Sequence, residues 1–335
     1  MAAYIVRRLG FLVVVLLGVT ILTFFLARVV PADPARLLAG PRASSEAVEQ
    51  IRRTEGLDRP LWEQYTSYMG ALVTADFGPS LVTRRPVKSD LLTYVPATFE
   101  LVFYSLLVGS LLGLMLGVVS ALRPGRPVDV SGRFVAMGGL SLPNFWVALL
   151  LQFLFFSVLG LLPFGGRLDT GVAPPETITG LYTVDSVLTG RFDLFVQSVS
   201  HLILPVIALS LGEMGLVARI TRASMLEVLG VDYIRTARAK GLSPWRIVRR
   251  HALRNAMLPV ITIIGLEFGL LLSGTVLVES IFAWPGLGRY MADAISASDY
   301  NAIMGVTIVV TLGYVLINLL ADLAYAYVDP RVRLA

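Results

Sequence analysis

Residues 101–122 read LVFYSLLVGSLLGLMLGVVSAL, an unbroken run without a charged side chain. A helix that crosses the hydrocarbon core of a bilayer, about 30 Å thick, needs about 20 apolar residues, so this run reads as a transmembrane span. The rest of the chain agrees: of 335 residues, 56% are hydrophobic and 15% charged, against about 25% charged in a typical soluble domain. Further spans are predicted at 9–27, 134–166, 199–218, 258–279 and 300–321. The stretch 134–166 must include a loop, and the spans at 199–218 and 258–279 are interrupted by the carboxylates of Glu213 and Glu267 but keep their apolar character on both sides. The expected fold is an all-α integral membrane protein with six transmembrane helices. Arg7 and Arg8 precede the first run as they would in a signal peptide. Its uncharged core is longer than the usual 7 to 15 residues, however, and no small-x-small site follows, so a retained helix is expected.

Basic residues in short loops stay on the cytoplasmic side. Arg7 and Arg8, then Arg123, Arg126 and Arg133, then the stretch from Arg219 to Arg254, then Arg331 and Arg333 fall on alternate sides of the six spans. Both termini are therefore expected in the cytoplasm. The stretch 219–254 holds nine basic and two acidic residues, a net of +7 in a chain whose total is +5. On the opposite side lie 31–96, with amphipathic helical candidates at Ser45–Arg53 and from Asp58 with Pro60 in its first turn, and 164–195, rich in Gly, Thr and Pro. Each of these loops reads either as a docking surface or as a cap over the helix ends.

Much chemistry is excluded. The chain has no cysteine and two histidines, His201 and His251, which leaves neither disulfides nor a thiolate site and too few ligands for most metal sites. It contains no Walker-type phosphate loop, nucleophile elbow or paired-carboxylate motif, so no enzyme is read from it and no cofactor is expected on this chain. The basic loop lacks the aromatic interleaving of a nucleic-acid surface, and no nucleic-acid partner is expected.

Within that loop, RTARAKGLSPWRIVRRHALRNAMLP at 235–259 predicts helix, tight turn, helix. Asp232 is placed to cap a helix from Tyr233, Gly241 to end it in the left-handed conformation, and Ser243 with Pro244 to start a second helix. Thr236, Ala237, Ala239 and Gly241 are small and admit close approach by another protein, framed by Arg235, Arg238 and Lys240. Arg246, Arg250 and Arg254 form one stripe on the second helix, which is expected to lie along the membrane surface. Topology alone or anionic lipid would explain a basic amphipathic helix. Neither requires the small-residue helix, so docking of a cytoplasmic protein stands beside them.

These residues resemble the permease subunits of bacterial ATP-binding-cassette importers for dipeptides and oligopeptides. That family's cytoplasmic signature is E-A-A, three residues, Gly, nine residues, then I-x-L-P. Here Arg235, Thr236 and Ala237 stand at the E-A-A positions and Gly241 at the glycine, while His251, Ala252, Leu253 and Arg254 replace the final element. FLARVVPADP after the first span, ADFGPSL at 75–81 with PV at 86–87, VPATFEL at 95–101, VARITRASMLEVL at 217–229 and VLVESIFAWPGLGRYMADAI at 276–295 support the same family. The resemblance implies a type I importer permease in two parts: 1–96, the first span with an extracytoplasmic loop, and 97–335, a core of five spans with a coupling loop at about 223–257. It implies half of a translocation path for peptides in the plasma membrane. The partners would be a second related permease, two cytoplasmic ATPase subunits that carry the ATP and Mg, an extracytoplasmic substrate-binding protein and membrane lipid. Asp232, Tyr233, Arg235, Thr236, Ala237, Arg238, Ala239, Lys240, Gly241 and Ser243 would couple to the ATPases through the 232–254 loop. Related systems carry nickel chelates or oligosaccharides.

Ionisable groups inside spans suggest function. Glu213 and Glu267, with Asn144, are expected to line the path or the subunit interface. The rival is an ion-coupled secondary transporter that uses the two carboxylates, although the inverted repeats typical of that class are missing.

Overall fold

The computed structural model describes residues 2–28, 33–39, 43–54 and 56–328. Arg331, Arg333 and residues 29–32 of FLARVVPADP lie outside these, as do the side chains of Arg7 and Arg8. Among the described residues the chain is helical, and its sole extended pairing is an isolated bridge between Pro79 and Pro86. In chain order the helices are α1 (Ala2–Arg28), α2 (Pro34–Ala39), α3 (Ser45–Thr54), α4 (Leu61–Val73), α5 (Val87–Leu122), α6 (Pro127–Ser141), α7 (Asn144–Gln152), α8 (Tyr182–Leu188), α9 (Phe192–Leu229), α10 (Asp232–Ala239), α11 (Pro244–Arg246), α12 (Leu253–Gly274), α13 (Val276–Ile281), α14 (Leu287–Ser296) and α15 (Tyr300–Val328). A π-helical segment, Phe153–Val158, extends α7, and another, Ile247–Ala252, joins α11 to α12.

Among the described residues, four helical stretches are long and apolar enough to cross a membrane: Val87–Leu122, Phe192–Leu229, Pro244–Leu272 and Tyr300–Leu320. The expected loop within 134–166 is a bend of 98° between Pro127–Ser141 and Asn144–Val158, a pair that counts as a fifth span if taken together. Pro143 sits at this break, where its missing N–H and the restriction on the residue before it stop the helix. An apolar stretch at Gly10–Leu26 runs through α1.

The chain divides into two compact units, one of residues 1–96 and 286–315, the other of 97–285 and 316–335. In the first, α4 packs on α1: Thr20 Oγ1 and Thr23 Oγ1 lie 3.0 and 3.1 Å from the hydroxyls of Tyr65 and Tyr68, and Phe24 stacks edge-on to Tyr65. The helix expected from Asp58 starts instead at Leu61, with Pro60 as its cap, because proline's fixed φ and absent N–H suit a position just before the first turn. Two wholly buried acids organise the remainder. Asp299 accepts hydrogen bonds from Ser80 Oγ and Leu81 N, both 2.6 Å, while Asp90 accepts one from Tyr290 Oη at 3.0 Å and pairs with Arg85.

In the second unit α5 lies against α9 through Gly109, Gly113 and Gly117, four residues apart and all buried. A Cβ added at Gly113 would stand 2.7 Å from the Met214 carbonyl, and one at Gly117 would stand 2.6 Å from Thr221 Cβ. Lipid tails are as apolar as leucine, so helix association in a membrane relies on such close packing. On the opposite face the bulky side chains of Phe103, Leu107, Leu111, Met115 and Val119 are exposed. Helix α6 approaches α9 equally closely, with Gly139 against the Leu211 carbonyl and Gly215 against that of Ala136.

Candidate coupling site

Helix α10 begins at Asp232 itself, with Val231 in the capping position and no side-chain cap. The expected Asp232 cap is therefore corrected: its carboxylate sits in the first turn, where it complements the helix dipole and pairs with Arg235 at 3.1 Å. Gly241 has φ +73°, and its N–H reaches the Arg238 carbonyl at 2.9 Å, closing the helix as the sequence suggested. A Cβ added there would meet no atom within 4 Å, so backbone conformation, and not space inside this subunit, is what requires glycine.

Burial divides α10 into two faces. Tyr233, Arg235, Thr236, Arg238, Ala239, Lys240, Gly241 and Ser243 are exposed, as is Asp232. Ile234 and Ala237 point inward, 0% and 7% exposed, into a cluster with Ala121 of α5, Met225 of α9, Ile247, Val248 and Ala252 of the π-helical segment, and Ala256 of α12. Ala237 thus serves the packing of its own subunit and leaves the outer contact to its neighbours. Full burial of one such aliphatic side chain is worth about 1.5–3 kcal/mol, enough to hold α10 on the ends of three spans. Asn255 Nδ2 donates a 2.7 Å hydrogen bond to Tyr233 Oη and adds a polar tie to α12.

The second helix of the loop does not lie as a separate element along the membrane surface. Pro244–Leu272 forms one continuous helical stretch, carried through the π-helical segment into the span. The predicted stripe of Arg246, Arg250 and Arg254 is realised on one concavity, joined by Arg249. A second basic tie lies between α6 and α9, where Arg222 makes a bidentate pair with the buried Asp129, Nε to Oδ1 at 2.6 Å and Nη2 to Oδ2 at 2.8 Å.

Comparison with known proteins decides the family. Residues 113–334 match the model of the binding-protein-dependent transport system inner membrane component, and residues 1–102 match that of its N-terminal region. The chain belongs to this family. The permease is 47% identical to the probable D,D-dipeptide transport system permease protein DdpB of Escherichia coli K12, over 97% of this chain and 96% of that one. It is 44% identical to the dipeptide transport system permease protein DppB of Alkalihalophilus pseudofirmus over 99% and 100%, and 40% identical to the oligopeptide transport system permease protein AppB of Bacillus subtilis over 99% and 100%. A chain of the MetNI methionine ABC transporter, solved facing inward, shares the fold at a TM-score of 0.52 and 20% identity, covering 72% of this chain and 96% of that one. The protein is a multi-pass permease subunit of the inner membrane with the type I importer fold.

The permease brings together family stretches whose roles the sequence left unread. Thr98, in VPATFEL, donates to Glu279 Oε1 at 2.7 Å, and Trp284 Nε1 donates to the Ala97 carbonyl at 2.9 Å. Glu100 accepts from Thr183 N and Oγ1 at 2.8 and 2.6 Å and pairs with Arg167, which lies over the Tyr182 ring. Loop 164–195 is thereby pinned across the span ends by a buried ion pair. Buried acids inside otherwise apolar stretches were the available signal, as were glycines spaced by four at 109, 113 and 117.

Glu213 is 3% exposed and packs its stem where a Gly109 Cβ would be; its Oε1 accepts from Ser110 Oγ at 3.1 Å. The Glu267 carboxyl adjoins it from α12 and is itself half-buried. Asn144 is half-buried at the α6–α7 break, beside Gly212.

Proposed function

We propose that this permease forms half of the translocation path of an ATP-driven importer of dipeptides or oligopeptides. It pairs with a second related permease, and an extracytoplasmic binding protein delivers the peptide. Two cytoplasmic ATPase subunits hold the ATP and Mg, and this chain carries no nucleotide site of its own. The exposed face of α10 from Asp232 to Gly241, with Ser243 beyond it, sits in the ATPase surface and transmits its closure.

One observation carries the coupling: Ile234 and Ala237 are buried against Ala121, Met225 and Ala256, so a push on α10 reaches α5, α9 and α12 together. The substrate class is supported by the relatives, whose names specify dipeptide, D,D-dipeptide and oligopeptide transport at 40–47% identity over nearly the whole chain.

The test is Gly241→Leu in the reconstituted importer. Left-handed backbone costs a branched residue about 1–2 kcal/mol, a local strain that leaves the spans intact. The expected result is normal membrane assembly with ATP hydrolysis uncoupled from peptide uptake; normal transport would overturn the coupling assignment. Uptake that stops on ATP depletion and survives an uncoupler separates this reading from an ion-coupled transporter acting through Glu213 and Glu267. The ligand retained by the partner binding protein distinguishes peptide from nickel chelate or oligosaccharide.

A further inference from the structure

Ser243, Trp245, Arg246, Arg249, Arg250 and Arg254 line one open cavity of about 500 Å³ at the cytoplasmic end of the Pro244–Leu272 span. No acidic residue lines it. All four arginines are exposed, and among the described residues none of them has a carboxylate partner. Many arginines elsewhere do: Arg52 pairs with Asp33, Arg85 with Asp90, Arg167 with Glu100, Arg191 with Asp193 and Arg222 with Asp129. Inside retention of positive charge explains why basic residues stand here. It does not explain why four arginines without a carboxylate partner among the described residues line one concavity.

Depth identifies the anion. Arg254 immediately precedes the apolar part of the span, and Arg246 lies two turns earlier; at 1.5 Å per residue they cover about 12 Å of axis. The headgroup layer on one side of a bilayer is about 5–8 Å thick, so this series traverses it. Trp245, 68% exposed, stands beside them as aromatic residues do at membrane interfaces. The π-helical segment Ile247–Ala252 closes its hydrogen bonds i→i+5 and so inserts an extra residue into the turn, and Arg249 shares the cavity with Arg246, Arg250 and Arg254. Guanidinium forks bind phosphate in two-point fashion.

We infer that Arg246, Arg249, Arg250 and Arg254 form a binding site for the phosphate of an anionic phospholipid headgroup in the cytoplasmic leaflet. The lipid holds the cytoplasmic end of α12 at a fixed depth, next to the helix on which Tyr233 and Ile234 sit. This assignment is independent of the transported substrate.

The test uses the full permease complex in phosphatidylcholine nanodiscs titrated with fluorescent phosphatidylglycerol, with inorganic phosphate as competitor. Binding should be selective for phosphatidylglycerol and should weaken by about fivefold for each arginine changed to glutamine. A quadruple Arg→Lys variant, which keeps charge and fold but loses the fork, should fall between wild type and the quadruple Arg→Gln variant. Equal binding of both lipids, or unchanged binding in the quadruple Arg→Gln variant, overturns the proposal. Displacement of the lipid by inorganic phosphate would make the site one for a soluble anion and also overturns it. Loss of ATPase subunits from the Arg→Gln complex with unchanged lipid binding would make the surface a protein interface, with the same consequence.

Discussion

Arg167 Nη2 lies 2.6 Å from Glu100 Oε2, with the two side chains 5% and 1% exposed. The pair joins the first turns of the 97–122 part of α5 to loop 164–195. Its surroundings complete it: Thr183 satisfies the other Glu100 oxygen, and the Gly180 carbonyl accepts from Arg167 at 2.8 Å. A buried ion pair adds little over well-packed apolar residues, but breaking one side of it is costly.

Glu100→Ala should therefore destabilise the purified permease by about 3–5 kcal/mol, read as a fall in its thermal unfolding midpoint. The double change Glu100→Leu with Arg167→Met removes both charges and should recover most of that loss. Equal midpoints for the single and double variants would show that the pair matters only for volume.

The contact between α5 and α9 is steric. Gly113→Ala places a methyl 2.7 Å from the Met214 carbonyl and 2.8 Å from Val217 Cβ, and such overpacking costs about 1–3 kcal/mol. Gly138→Ala meets nothing within 4 Å and should be neutral or stabilising by up to about 1 kcal/mol. Yield of folded protein and its unfolding midpoint separate the two.

Loop 164–195 has a pH-dependent part. Burial opposes the charge on Asp185, but the Thr179 hydroxyl and the backbone N–H groups of Thr179, Gly180 and Ile178 outweigh it and hold the carboxyl below its ordinary value. A group depressed in the folded state stabilises it fully above the unfolded value, about pH 4, and loses that contribution as pH falls through the folded value. Hydrogen exchange at Thr179 and Gly180 should accelerate as pH drops below that point, beyond the intrinsic rate, and Asp185→Asn should abolish the extra pH dependence.

Tyr233→Phe removes the 2.7 Å hydrogen bond from Asn255 and leaves the Ile234 cluster in place. The expected loss of stability is small, about 0.5–1.5 kcal/mol. On the proposed coupling route, peptide uptake per ATP hydrolysed should fall more than ATP hydrolysis does, measured in proteoliposomes.

The sequence by itself determined that this protein lives in a membrane, because runs such as 101–122 cannot be solvated otherwise, and it placed the net +7 loop between two spans. It also located the end of α10 at Gly241, since a left-handed residue after a short helix is a local property. The tertiary structure decided what depends on residues far apart in the chain. Ala237 looked like a contact for a partner by its size, yet its direction is set by Met225 and Ala256, and it faces inward. That Glu213 packs its stem on Gly109 and accepts from Ser110 depends on how α5 meets α9, which no local pattern carries. The continuous helix from Pro244 into α12 could not be read either, because a turn signal such as Ser243-Pro244 marks where a helix starts and not the direction it then takes. Side-chain type sets what a residue can do, and only the packing of distant segments sets which way it points.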